Sequence, residues 1–488
     1  MSSNGDIDEI ETKVICKDCV EEPFLSQQIQ SQGEVAKCDY CGGEVECCSI
    51  EDLSAEIETA FEQHYRRTSN QPTSYQYAML SDREFEYDWE RDGEQTVYAI
   101  MNAAILPEDV AKDVQQILEE KYSDFDSDAM GEETEFAEDA HYEEADVSDQ
   151  HWQREWQWFE ESLRTEARFF SQSASQLLSS VFNGIDQMQT HDGRSLVVEA
   201  GPVTNYSSIF RARCFQSNNK LIQALSKPDL HLGPPPSEFA DAGRMNAHGI
   251  SVFYGATSPE VAIAEVRPPV GSQVAVARFD VTEPLRLLDL TALKDATTNG
   301  GSIFDPEFLP HLERTAFLRN LSYQLTKPVM PDDEKLEYLS TQVIADFLAS
   351  ENEPTVDGIV FPSIQSGKKG LNIVIFHNSS CVEKIEHPEG TEFSASTGTV
   401  TDEGWDTRYS VRIRTPIQEE KLETEQYGFL SPILLWDDAT VFDARTSKLE
   451  INQDSIKVHH VGAVTYSTSE FPVNYSIEKK TDPESLPF

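Results

Sequence analysis

The chain has 488 residues, of which 87 are acidic and 38 basic, giving a formal net charge of −49. Such a field argues against nucleic acid and anionic membrane surfaces as partners, because both are held by clustered Lys and Arg. The 39% hydrophobic fraction suits roughly two to four folded domains, and no apolar run approaches the ~20 residues of a spanning helix. The opening "MSSNGDIDEIETK" has neither a basic n-region nor an apolar h-region, so a cytoplasmic location is expected.

In chain order, residues 1–49 come first and hold six of the eight cysteines. Cys16-x-x-Cys19 and Cys38-x-x-Cys41 form two knuckles whose thiolates can converge on one tetrahedral ion. Gly42 and Gly43 follow the second knuckle, where a positive φ is useful. The spacing predicts a zinc ribbon with a closed, structural Zn2+ site, with Cys47 and Cys48 as the poorer alternative ligands. Its Lys13, Lys17 and Lys37 lie among many carboxylates, which favours protein docking over DNA binding.

Residues 50–185 read as a helical module. "LPEDVAKDVQQILEEKY" sets Val110, Val114, Ile117 and Leu118 at helical spacing. Asp124 to Asp149 holds twelve carboxylates and no Lys or Arg, which predicts a solvated linker or poorly ordered loop. Trp152, Trp156, Phe159, Leu163, Phe170, Ala174, Leu177 and Val181 then form one stripe, predicting a single long amphipathic helix. A helical ribonuclease would need an Arg followed closely by a His. No Arg in this region has one, so a scaffold, regulatory or partner-binding role is expected.

Residues 190–390 turn to an α+β texture. "QVAVARFDV", "RLLDL" and "LNIVIFHN" read as strands and "LEYLSTQVIADFLAS" as a helix. Residues 391–488 read as β-rich, with strands expected in "TRYSVRIRTPI" and "IKVHHVGAVTYST".

One stretch carries chemistry, "AGRMNAHGISVFYGATSPEVAIAEVRP" from Ala242 to Pro268. A short apolar strand ends at Tyr254, Gly255 allows a turn, and Thr257 with Glu260 predicts a capping box. The helix that follows is apolar all round, so it is expected to be buried. Glu265 breaks that pattern near the helix C-terminus, where a negative charge is unfavourable. Pairing with Arg267 would explain it structurally. Its position beside a Gly-flanked Arg244 and a strand-end Tyr254 points instead to a site.

The ordered set of motifs resembles RES-domain proteins. Its elements are "IFRARCF" with Arg211 and Arg213, "AGRMNAHG" with Arg244, "FYGA" with Tyr254, "AIAEVR" with Glu265, and "DGIVFPSIQSGKKGLNIVIF" with Ser363. The likeness spans roughly residues 205–380, and the ribbon plus helical module resembles what precedes some RES domains. It implies an α+β fold with an ADP-ribosyltransferase-like split β-core and a NAD+ cleft. The implied activity is cleavage of the nicotinamide–ribose bond, by phosphorolysis with inorganic phosphate, as a toxin with a protein antitoxin or regulator. ADP-ribosyl transfer to a protein target, or a module that has lost activity, are the other readings.

These residue types suit that chemistry. A Glu265 carboxylate stabilises an oxocarbenium-like ribose. Arg211 and Arg244 can grip pyrophosphate or the incoming phosphate, with Arg213 a second choice for the first role. Tyr254 can stack on nicotinamide, and Ser363 can orient the ribose or the phosphate. In so acidic a chain these arginines and Arg267 must form a basic island, and moderate salt should favour NAD+ binding by screening the global repulsion.

Overall fold

The computed structural model describes residues 4–82, 87–124, 130, 132–166, 171–298, 300–367, 369–402, 404–416 and 445–476. Two compact units emerge, and both draw on separated parts of the chain. The first comprises Met1–Glu199, Asp241–Ile250 and Leu285–Pro362; the second comprises Ala200–Ala240, Ser251–Pro284 and Ser363–Phe488. The expected 190–390 domain is therefore divided between them. Among the described residues no helix is long and apolar enough to cross a membrane.

In the first unit, Val14–Cys16, Glu44–Ser49 and Glu34–Lys37 form an antiparallel sheet in that spatial order. Ser49 ends the sheet and caps the Ile50–His64 helix, its hydroxyl accepting from Asp52 N. With no linker between them, ribbon and helices share one core. Ile15, Leu25, Ile57, Phe61, Ile100, Val114 and Leu118 are all buried in it. The boundary expected at residue 49 is thus a change of secondary structure within one body.

The described residues 132–149 of the acidic stretch pack into the fold, where a solvated linker or poorly ordered loop was expected. Phe136 and Tyr142 are buried in the same core, and His141–Glu144 is a strand paired with Tyr65–Arg67 and Glu94–Gln95. Its charges are met locally: Arg91 binds Glu133 through both Nη atoms, at 2.6 and 2.7 Å. Two aromatics supplied the burial that a count of carboxylates overlooks.

The long stripe forms two helices, Gln150–Thr165 and Gln172–Phe182, with Phe170 outside the described residues. Trp156, Phe159 and Leu163 are buried as expected, but Leu178 is buried where Leu177 was expected. The break between the helices resets the register. Trp152 and Trp156 pack on Phe317 of the Phe308–Thr326 helix, with ring centroids 5.8 and 5.4 Å apart.

The second unit is built on five antiparallel strands in the order Leu449–His460, Gln273–Val281, Ser208–Phe215, Phe253–Ala256 and Leu371–Ile375. Gln273–Val281 is buried on both faces, Val274 and Val276 beside Val261 and Ala262 and Ala275, Ala277 and Phe279 on the other side, which explains its nearly continuous apolar run. Ala275 and Ala277 stand opposite Arg213 and Arg211, where small residues leave room for the guanidiniums. The first strand comes from the region expected to be separate, and it begins seven residues before the predicted segment. Glu392–Ser396 and Ser410–Arg414 pair beside it in sequence as a small two-stranded sheet.

Candidate active site

The Pro259–Glu265 helix packs Val261 and Ala262 on Ala212, Ala256, Val274 and Val276 of one sheet face. Its cap differs from the expected one. Ser258 is the N-cap, accepting from Val261 N at 3.3 Å, and Pro259 takes the first helical position. Thr257 is drawn away because the Thr257 and Leu371 backbones bond and the Thr257 hydroxyl accepts from Leu371 N. The helix is not buried all round either: Ile263 and Ala264 are half-buried and Glu265 is exposed. The carboxylate therefore stands at the open end of a half-covered helix.

Glu265 is nevertheless held. Ser363, fully buried, donates its hydroxyl to Glu265 Oε1 at 2.6 Å. The Ser363 oxygen accepts in turn from Ser366 N at 3.2 Å, and Ser363 N donates to Gly370 O at 2.9 Å. Gly370 packs against the helix, where a Cβ would stand 2.4 Å from Val261 Cγ2. Val261 and Glu265, four residues apart, thus both face the 363–370 turn. Residues 364–367 form the turn that follows Ser363. The Ser-x-x-Ser spacing was a readable but unused signal for Ser366.

Arg267 follows the helix with φ 43°, a region that non-glycine residues avoid. With its amide oriented by hydrogen bonding, Gln365 Oε1 accepts from Arg267 Nε at 3.2 Å and Nη2 at 2.8 Å. The Arg267 guanidinium is thereby fixed to the same turn as Ser363, rather than to Glu265.

Strand alternation decides how the other residues relate to Glu265. Ala256 pairs with Phe210 and with Asn372, and Tyr254 with Val374. Opposed residues project to one face, so Tyr254 and Ala256 share the face covered by the Glu265 helix. Arg211 and Arg213 alternate with Phe210 and Ala212 and lie on the opposite face. The Arg211 guanidinium stands 5.1 Å from the Phe253 ring centroid and donates to Tyr254 O at 2.7 Å. Burial, with the Arg213 charge behind it, pushes Arg211 down to about 10. Arg213 donates to His231 O.

Arg244 belongs to the first unit. It donates to Leu325 O at 2.7 Å and Lys327 O at 2.8 Å and packs on the Tyr338 ring, capping the Phe308–Thr326 helix. Asn246 stitches the loop around it through Asp241, Ala247 and Ile250 carbonyls. Within the second unit the structure brings Ser363 onto Glu265 and places Tyr254 on the same face. It sets Arg211 and Arg213 behind that face.

The four predicted cysteines also converge. Their sulfur atoms lie within 4.8 Å of one another, Cys16–Cys41 at 3.5 Å and Cys19–Cys38 at 3.9 Å. A tetrahedral ion with bonds of about 2.3 Å needs edges of about 3.8 Å, so the set fits one thiolate-bound metal. Burial opposes ionisation of Cys38, but backbone N–H groups of Cys41, Tyr40 and Cys16 outweigh it and bring the thiol down to about 7. Cys47 turns away, its sulfur 3.5 Å from Ala36 O and 3.3 Å from Val45 O. Gly42 has φ 74°, as the knuckle requires.

Residues 212–397 match the family model of the RES domain. The matched segment contains Arg213, Arg244, Tyr254, Glu265 and Ser363 and begins one residue after Arg211. No curated protein and no solved structure matches the chain.

Proposed function

We propose that this RES-domain chain cleaves NAD+ at the nicotinamide–ribose bond, with inorganic phosphate as the acceptor. The observation that carries the reading is the 2.6 Å bond from buried Ser363 to the accessible Glu265, two residues 98 apart in sequence. A structural ion pair would have joined Glu265 to its neighbour Arg267, which is committed to Gln365 instead.

In this mechanism the bond from ribose C1″ to the pyridinium nitrogen breaks, and its electron pair neutralises the nicotinamide ring. Glu265 faces the positive charge that develops on the ribose and stabilises it more than the ground state. A phosphate oxygen then bonds to C1″, giving nicotinamide and ADP-ribose 1″-phosphate. Ser363 fixes the carboxylate rotamer, and Tyr254 offers a ring to the nicotinamide. Arg211 acts from behind as the brace of the Tyr254 strand. Arg213 likewise acts from behind that face, donating to His231 O. The Cys16, Cys19, Cys38 and Cys41 cage is assigned to a structural Zn2+ ion. Depletion of NAD+ would make the protein a toxin, held in check by a protein antitoxin.

Incubation with NAD+ in phosphate and in phosphate-free buffer, with product masses read, tests the reaction. ADP-ribose 1″-phosphate formed only with phosphate supports it. Free ADP-ribose in both buffers makes it a hydrolase, label transferred to protein makes it a transferase, and an intact pool makes it a silent module.

A further inference from the structure

A buried amide close to this pair has no role in the mechanism above. Asn372 lies in the Leu371–Ile375 strand and is 5% exposed. Its Oδ1 is buried and, among the described residues, has no hydrogen-bond partner. The register sets it opposite Ala256, with Tyr254 opposite Val374 two residues on. Asn372 therefore faces the same side of the sheet as Tyr254, under the Glu265 helix. It also stands two residues after Gly370, whose carbonyl holds Ser363 N and whose Cα packs on Val261.

Its neighbours on that face, Ala256, Val374 and Val261, are apolar and buried. An amide oxygen left unpaired there is disfavoured, and an apolar residue of the same size would have filled the place at no such cost. Native folds keep such groups where something meets them. On the reading that this site takes NAD+, we infer that Asn372 Oδ1 accepts a hydrogen bond from the nicotinamide riboside half of the substrate. Two donors on that half have the right chemistry, the carboxamide N–H and a ribose hydroxyl. Asn372 is then a specificity-determining residue beside Glu265 and Ser363. It selects for a donor at one position and takes no part in bond breaking.

The test uses the full chain and the Asn372→Leu variant, with Asn372→Ala beside it in case the larger side chain disturbs packing. KM and kcat are measured for nicotinamide release from NAD+ and for nicotinate release from its analogue bearing a carboxylate in place of the carboxamide. Thermal melting is followed in parallel. The expected result is a KM for NAD+ raised about tenfold or more, with kcat changed less and melting unchanged or raised. If the carboxamide is the donor, wild type disfavours the carboxylate analogue and the variants lose that preference. If a ribose hydroxyl is the donor, the variants lose equally on both substrates. Wild-type kinetics in both variants would overturn the inference while leaving NAD+ cleavage standing. A wild-type chain that neither binds nor cleaves NAD+ would overturn both.

Discussion

Replacing Ser363 by Ala removes one oxygen from the centre of the site. That oxygen donates to Glu265 Oε1 at 2.6 Å and accepts from Ser366 N at 3.2 Å. Hydrogen bonds to a charged group contribute about 1.5–3 kcal/mol, and Glu265 is open to water that can replace the donor, so the lower end applies. A loss of about 1.5 kcal/mol in positioning the carboxylate is roughly a tenfold fall in kcat. Ser363 is fully buried and its turn also packs on the helix, so the melting temperature should drop by about 2–4 °C. KM should change little, because the hydroxyl acts on Glu265 and not on the bound substrate. The assay is steady-state nicotinamide release with a thermal melt on the same preparation. An unchanged kcat at full occupancy would refute the idea that Ser363 works by holding Glu265. A KM effect without a kcat effect would move Ser363 into direct substrate contact.

Gly255→Ala would place a Cβ 2.4 Å from Ile209 Cγ2 and 2.9 Å from Phe253 Cε1, so about 1–3 kcal/mol should be lost in urea unfolding, together with activity; an unchanged midpoint would contradict that packing. Metal analysis of chain purified without chelators should find one zinc per molecule, and Cys19→Ser should lower both the zinc content and the melting temperature of the first unit while nicotinamide release persists. A metal-free chain that melts like the purified one would remove the structural role. Burial raises the Glu58 carboxyl, but bonds from Lys121 and Tyr122 outweigh it and hold the group below its ordinary 4.5. A depressed carboxyl stabilises the fold above its unfolded value and loses that contribution as pH falls through the folded one. Glu58→Gln should therefore destabilise the chain at pH 7 and cost progressively less below pH 4.5; a gap that stays constant into acid would contradict it.

What could be read from sequence was what local pattern determines. The Gln273–Val281 and Leu371–Ile375 strands, the Glu108–Lys121 and Glu334–Ser350 helices and the four-cysteine cage follow from periodicity and spacing. Thr257 and Ser258 were not separable as caps, because both residue types cap helices. Only the Thr257–Leu371 pairing, formed with a strand 114 residues away, decides between them. The exposure of Glu265 was hidden for a similar reason: apolar neighbours imply burial, but a seven-residue helix laid on one sheet face buries only the side turned to the sheet. Arg211 and Arg213 were rightly placed on one face of a strand. That this face lies opposite Tyr254 depends on the register of Ala256 with Phe210, which no single segment encodes.

The central claim is that Glu265, oriented by Ser363, stabilises the breaking nicotinamide–ribose bond. The direct measurement is nicotinamide release from NAD+ by wild type and by Glu265→Gln, which keeps size and hydrogen bonding but removes the charge. The expected result is release by wild type in phosphate and a loss of about a hundredfold or more in kcat for the variant, with NAD+ still bound. Equal turnover by the two proteins would contradict it.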